Sequence, residues 1–216
     1  MAGELAADLP ELSRLAVAHA PPAAKRATSA LLALDHRFAT VLRQKREPML
    51  AQLRLAWWRD RLGEDPARWP SGDAVLDTLR EWHSPRELVP LVDGWEALIA
   101  DELDSAALDR FADGRAAGFA ALARQVGAGR AADAAARAGR VWALADLAAN
   151  IFDPTERGQA LDLARMAGAP PALPRALRPL SLLAGLGWRA VQSGGGPLLS
   201  GRGAGLAAFR LGLFGR

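Results

Sequence analysis

The stretch EPMLAQLRLAWWRDRL, residues 47–62, carries the strongest local signal for the fold. Pro48 suits the first turn of a helix, because its ring presets φ and its missing N–H would be unpaired there anyway. Leu50, Leu53 and Trp57 recur at helical spacing, so we expect them to form the buried face of an amphipathic helix. Adjacent tryptophans point about 100° apart on a helix. We therefore expect one ring to enter the core and the other to wedge against a neighbouring helix.

Polar residues on the flanks of this predicted face give the first candidate contacts. Arg54, Trp58 and Asp60 lie to its sides, and Arg59 with Asp60 forms a local charge pair or a surface contact. The candidates for lining a cavity or contacting a partner come from this helix and two later ones: Arg54, Trp57, Trp58, Arg59, Arg115 and Trp142.

The composition of the 216 residues favours helix over strand. Alanine is abundant, tyrosine is absent and β-branched residues are few. Apolar residues make up 50% of the chain, which can fill a sizeable core. The chain has no cysteine and only three histidines, none at metal-ligand spacing, so we expect no disulfide, thiolate site or zinc centre. We predict one helical domain over residues 1–192 and a glycine-rich basic tail over 193–216.

Turn residues and apolar spacing predict about nine or ten helices and no strand. Thr28 or Ser29 is expected to cap the second helix, and Ser84-Pro85-Arg86-Glu87 is expected to form a capping box. Asp153-Pro154-Thr155-Glu156 repeats that arrangement. The other predicted helices are Pro10–Ala18, 48–63, 73–82, Ser105–Val126, Ala131–Phe152, Leu177–Gln192 and a short amphipathic end over 206–214.

Charge is distributed unevenly along the chain. The net charge is +3, yet residues 163–216 contain seven arginines and no acid, which leaves −4 for residues 1–162. This asymmetry indicates an anionic partner for the tail, or simply a basic surface. The candidate membrane or anion contacts are in the tail: Arg202, Phe209, Arg210, Phe214 and Arg216. Nucleic acid is a weak alternative, because the basic residues lack interleaved aromatic residues.

No apolar run approaches the roughly 20 residues that a membrane-spanning helix needs. The first residues, MAGELAADLPEL, carry Glu4 and Asp8 and lack the basic start and apolar core of a secretory signal. We therefore expect a cytoplasmic protein, and the basic tail favours peripheral contact at the inner membrane.

The segment RLAWWRDRL, with EPML before it, resembles the stretch that follows the first aspartate-rich motif in the squalene/phytoene synthase family. Three further segments are similar to a divergent branch of that family, which includes the mitochondrial complex I assembly factor with a phytoene-synthase-like domain. They are LVDGWEALI at 91–99, FADGRAAGF at 111–119 and RPLSLLAGLGWRA at 178–190. The resemblance implies an all-α isoprenoid-synthase-like bundle.

The resemblance implies a comparison with the catalytic members of the family. In those members, two aspartate-rich motifs on facing helices hold Mg²⁺ ions against a substrate diphosphate. The first motif would fall on 39–43, Ala-Thr-Val-Leu-Arg, where the acids are lost. Asp35 is the one acid near it. We expect Asp35 to be an exposed residue paired with Arg37 or Arg43.

The second motif would fall on 142–153, WALADLAANIFD, where Asn150 and Asp153 look like remnants. Asp146 is the better-placed carboxylate because it lies inside the helix. Asp153 and Glu156 are residual catalytic candidates, although a helix cap with its partner explains both. Gly114 and Gly118 are expected to let helices approach closely.

Two functions follow from the resemblance. The first is a non-catalytic pseudoenzyme without cofactor, acting as an assembly or scaffold factor for a protein partner such as a respiratory-complex subunit, with an isoprenoid or lipid as a further ligand. The alternative is an active Mg²⁺-dependent prenyltransferase of isoprenoid biosynthesis, joining polyprenyl diphosphates head to head. The alternative needs Mg²⁺ held by Asp35, Asp146, Asp153 and Glu156.

Overall fold

Nine α-helices and no strand form the regular structure of the residues described by the computed structural model, which are 5, 8–43, 47–100, 102–196 and 198. This confirms the predicted all-α bundle. In chain order the helices are α1 Glu11–Ala18, α2 Pro22–Arg43, α3 Pro48–Gly63, α4 Ala74–Leu79, α5 Val89–Glu96, α6 Ser105–Gln125, α7 Ala132–Asn150, α8 Pro154–Ala167 and α9 Arg178–Gln192. Five short 3₁₀ helices lie between them: Pro66–Arg68, Pro85–Leu88, Ala97–Ile99, Gly129–Ala131 and Arg175–Leu177.

Helix α6 lies at the centre of the bundle. Its most extensive contact is with α7, and its second is with α5. Helices α8 and α9 pack on α7, whereas α3 packs on α5, and α2 contacts both α5 and α6. The middle of α6 is therefore enclosed by α2, α5 and α7, and this is where the candidate site lies.

Two glycines bring α5 and α6 close together. A Cβ atom at Gly114 would lie 2.4 Å from the carbonyl oxygen of Pro90 and 2.8 Å from the Cα atom of Gly94. These distances are far shorter than any non-bonded contact that a methyl group tolerates. The predicted close helix approach is thus confirmed at Gly114, and it sets the position of the next residue, Arg115.

Helix α3 begins and ends as predicted, with Glu47 at the N-cap, Pro48 in the first turn and Gly63 as its last residue. The predicted buried face is wrong. Leu50, Leu53 and Trp57 are exposed. The buried residues form a second apolar row at helical spacing, Ala51, Leu55, Trp58 and Leu62.

The reason for this difference is the tryptophan pair. Trp58 is buried edge-to-face against Phe38, with 5.8 Å between ring centroids. Trp57 lies edge-to-face against Trp58 and stays partly exposed. One ring does enter the core, as predicted, but it is the ring that the sequence placed on the flank.

Two predicted caps are also wrong. Helix α2 already begins at Pro22, so Thr28 and Ser29 are buried inside it, where the Ser29 hydroxyl donates to the carbonyl of Lys25 at 2.9 Å. Ser84 makes no side-chain cap bond, and the chain after it starts as a 3₁₀ helix. Glu87 pairs with Arg124 at 2.5 Å. The long-range ion pair of Glu87 with Arg124 therefore replaces the predicted capping box.

Candidate functional site

Three charged residues from three helices meet in the centre of the bundle. Asp35 comes from α2, Arg115 from α6 and Asp146 from α7. The Arg115 guanidinium donates to both Asp35 oxygens, from Nη2 to Oδ2 at 2.5 Å and from Nε to Oδ1 at 3.1 Å. Its Nη1 donates to Oδ2 of Asp146 at 2.8 Å. One cation thus bridges two carboxylates, and we call these three residues the Arg115 cluster.

Aromatic rings surround the guanidinium. Its central carbon lies 5.6 Å from the ring centroid of Trp95, 5.4 Å from that of Phe111 and 5.5 Å from that of Trp142. The Trp95 indole N–H also donates to Oδ1 of Asp35 at 2.7 Å. Cation–π attraction is strongest where water is excluded, and only 4% of the Arg115 surface is exposed. The rings therefore favour the charged form of Arg115.

Apolar side chains close the cluster around Asp35 and Arg115, whereas part of the Asp146 side chain remains exposed. Leu31, Leu91 and Phe119 lie against Asp35 and Arg115, and the gap they leave does not admit a water molecule. An ion pair without water depends on its own hydrogen bonds for compensation. The Arg115 cluster has these bonds, since both oxygens of Asp35 and three nitrogens of Arg115 are engaged.

The charges of the cluster shift two pKa values. Burial lowers the pKa of Arg115, but the carboxylates of Asp35 and Asp146 outweigh it, so this pKa is raised. Burial raises the pKa of Asp146, and the negative charge of Asp35 adds to this, against the opposing effect of Arg115. Arg115 is thus a permanent cation, whereas the carboxylate of Asp146 gains a proton more readily than an ordinary aspartate does.

The two carboxylates do not fit a magnesium site in this arrangement. Mg²⁺ needs carboxylate oxygens together with water and substrate oxygens at octahedral positions. Here Arg115 lies between Asp35 and Asp146 and takes the lone pairs that a metal would need. Among the described residues, no group of three or more His, Asp or Glu could hold a metal ion. The Arg115 guanidinium therefore occupies the position between the two carboxylates.

The expectation for Asp35 is wrong. Asp35 is buried on the inward face of α2, together with Leu31 and Phe38, and it pairs with Arg115. Arg37 pairs with Asp73 at 2.6 Å, and Arg43 donates to the Thr40 hydroxyl at 3.2 Å. A sequence signal was present, because Asp35 lies four residues after Leu31 and three before Phe38 in an otherwise apolar row.

The carboxylates of Asp153 and Glu156 accept hydrogen bonds from backbone amides. Oδ1 of Asp153 accepts hydrogen bonds from the amides of Thr155 at 2.8 Å and Glu156 at 2.9 Å, which is the predicted helix cap. The carboxylate of Glu156 accepts from the amide of Leu103 at 2.9 Å, and this replaces the expected return bond of a capping box. The structure therefore brings together Asp35 and Asp146, but it does not bring Asp153 and Glu156 to Arg115.

The remaining candidates divide between cluster and surface. Trp142 is buried beside Arg115, whereas Arg54 is exposed on α3. Arg59 bonds to Asp93 at 2.7 Å and to Glu96, which replaces the expected local pair with Asp60. The tail candidates Arg202, Phe209, Arg210, Phe214 and Arg216 lie outside the described residues.

The sequence missed the role of Trp95. Its apolar neighbours predict a buried ring, and the ring is buried, but nothing in the spacing indicates a bond to Asp35, which is 60 residues away. A buried tryptophan N–H usually finds an acceptor, so a buried acid is the partner to look for. The bond ties α5 to α2 beside Arg115.

Models of known families, curated proteins and solved structures give no match to this chain. No helix among the described residues is both long enough and apolar enough to cross a membrane.

Proposed function

We propose that this protein is a non-catalytic member of the squalene/phytoene synthase family that acts as an assembly or scaffold factor. The observation that supports the proposal is Arg115, which lies between Asp35 of α2 and Asp146 of α7. A diphosphate substrate of the catalytic members needs metal ions at carboxylates on facing helices. In this bundle the facing carboxylates neutralise an internal guanidinium.

The walls of the cluster support the same function. Ionisation of an allylic diphosphate requires room for the substrate beside the cation that neutralises its leaving group. Around Arg115 and Asp35 the space is filled by leucine, phenylalanine and tryptophan side chains. Because side chains fill the centre of the bundle, we propose that the outer faces of the helices bind other molecules.

The proposal also covers the binding partners and the location of the protein. We propose a protein partner, with a respiratory-complex subunit as the class that the family resemblance favours. We also propose a cytoplasmic location with peripheral contact at the inner membrane. An isoprenoid or other lipid is a further ligand under this proposal. Under this proposal the chain itself uses no cofactor.

One observation favours the prenyltransferase alternative. Asp35 and Asp146 do converge from separate helices, as metal ligands of such an enzyme would. The purified chain should be incubated with farnesyl or geranylgeranyl diphosphate and Mg²⁺, and we expect no coupled product above the buffer control. Product formation that is abolished in both Asp146→Ala and the more conservative Asp146→Asn, each folded by circular dichroism, would overturn the proposal.

Native mass spectrometry of the protein isolated from its own host tests the scaffold role directly. We expect a stoichiometric complex with another polypeptide. A lone chain that carries a prenyl diphosphate and magnesium would instead support the enzyme.

A further inference from the structure

We draw no further inference here: the strongest candidate, the exposed apolar row on the outer side of α3 formed by Met49, Leu50, Leu53 and Trp57, carries none because nothing in the structure shows what covers it.

Discussion

At the scale of single residues, Arg115 shows how one cation can hold two carboxylates together inside a helical bundle. Its guanidinium supplies positive charge to two carboxylates that would otherwise repel each other inside the bundle. Three aromatic rings and the Trp95 N–H complete the surroundings. Removing one member of such a cluster leaves an uncompensated buried charge, whereas removing all of its charges together need not destabilise the fold.

Arg115→Met should therefore lower the free energy of unfolding by about 3–5 kcal/mol. The methionine keeps much of the volume, so the loss reports on charge more than on packing. Urea denaturation followed by circular dichroism measures the change. Combining Arg115→Met with Asp35→Asn and Asp146→Asn should recover part of the stability, because no buried charge then remains unpaired.

The matched control for this substitution is Arg124→Met. Arg124 pairs with Glu87 at the surface, and about half of the Arg124 side chain is exposed. Exposed pairs contribute about 0–1 kcal/mol, so we expect a change within that range. Equal losses in the two variants would show that the Arg115 cluster has no special energetic role.

Asp146 should make the stability of the protein depend on pH. Its pKa is raised in the folded chain above the unfolded value, which is near 3.8. At a pH between these two pKa values, the native state binds the proton more tightly than the unfolded state does. This favourable contribution is fully present below the unfolded pKa and is lost as the pH rises through the folded pKa. Asp146→Asn cannot ionise and should gain stability relative to the parent chain as the pH rises from about 4 towards neutrality.

Denaturation midpoints of both chains across this pH range give the comparison. We expect a small difference, because 26% of the Asp146 side chain remains exposed. A parent chain that gains stability over Asp146→Asn with rising pH would contradict the sign of the shift.

At the scale of helices, the crossing of α5 and α6 fixes where Arg115 lies. The two chains approach at Gly94 and Gly114, where a side chain would overlap the backbone of the other helix. Only a shift of a whole helix could accommodate a methyl group, since the nearest atoms are main-chain atoms. Such a shift would also move Arg115 away from the carboxylate of Asp35.

Gly114→Ala should therefore destabilise the fold by roughly 1–3 kcal/mol or more, which is the usual cost of overpacking. Gly158→Ala is the control, because nothing lies within 4 Å of a Cβ at that position of α8. Alanine is the better helix former, so the control should be stabilised by up to about 1 kcal/mol. Thermal unfolding of the two variants gives both signs, and a stabilised Gly114→Ala would contradict the close contact.

The sequence predicts a helix start where local chemistry alone decides it, and it predicts a helix face poorly where two apolar rows compete. Pro48 and Asp153 begin helices by local chemistry, and the structure has both starts. In α3, two apolar rows compete, and the choice between Trp57 and Trp58 depends on Phe38, which comes from another helix. The same limit explains why Asp35 was expected at the surface, since its partner Arg115 is 80 residues away.

At the scale of the molecule, one hydrophobic cluster includes residues from all nine helices among the described residues. No helix has a separate core of its own, so the helices depend on each other for burial. The central contacts around α6 are also those that hold the Arg115 cluster. We therefore expect the described part of the chain to unfold as a single unit.

Phe38→Ala tests this cooperativity. Phe38 is fully buried beside Trp58, and its truncation should cost about 3–5 kcal/mol. Unfolding curves from far-ultraviolet circular dichroism and from tryptophan fluorescence should shift together. Phe152→Ala makes the same substitution at a fully exposed position and should stay within about 0.5 kcal/mol of the parent chain. Curves that separate in Phe38→Ala would indicate that α2 and α3 unfold apart from the rest.

The enclosure of Arg115 also has a consequence for its labile protons. Its Nε, Nη1 and Nη2 atoms each donate to a carboxylate, and the side chain is almost entirely shielded from solvent. A surface arginine rotates about its Cζ–N bonds and trades these protons with water rapidly, whereas in this site both processes require the bundle to open. Nitrogen-15 spectra should therefore contain one guanidinium whose resonances remain separate and persist long after transfer to heavy water.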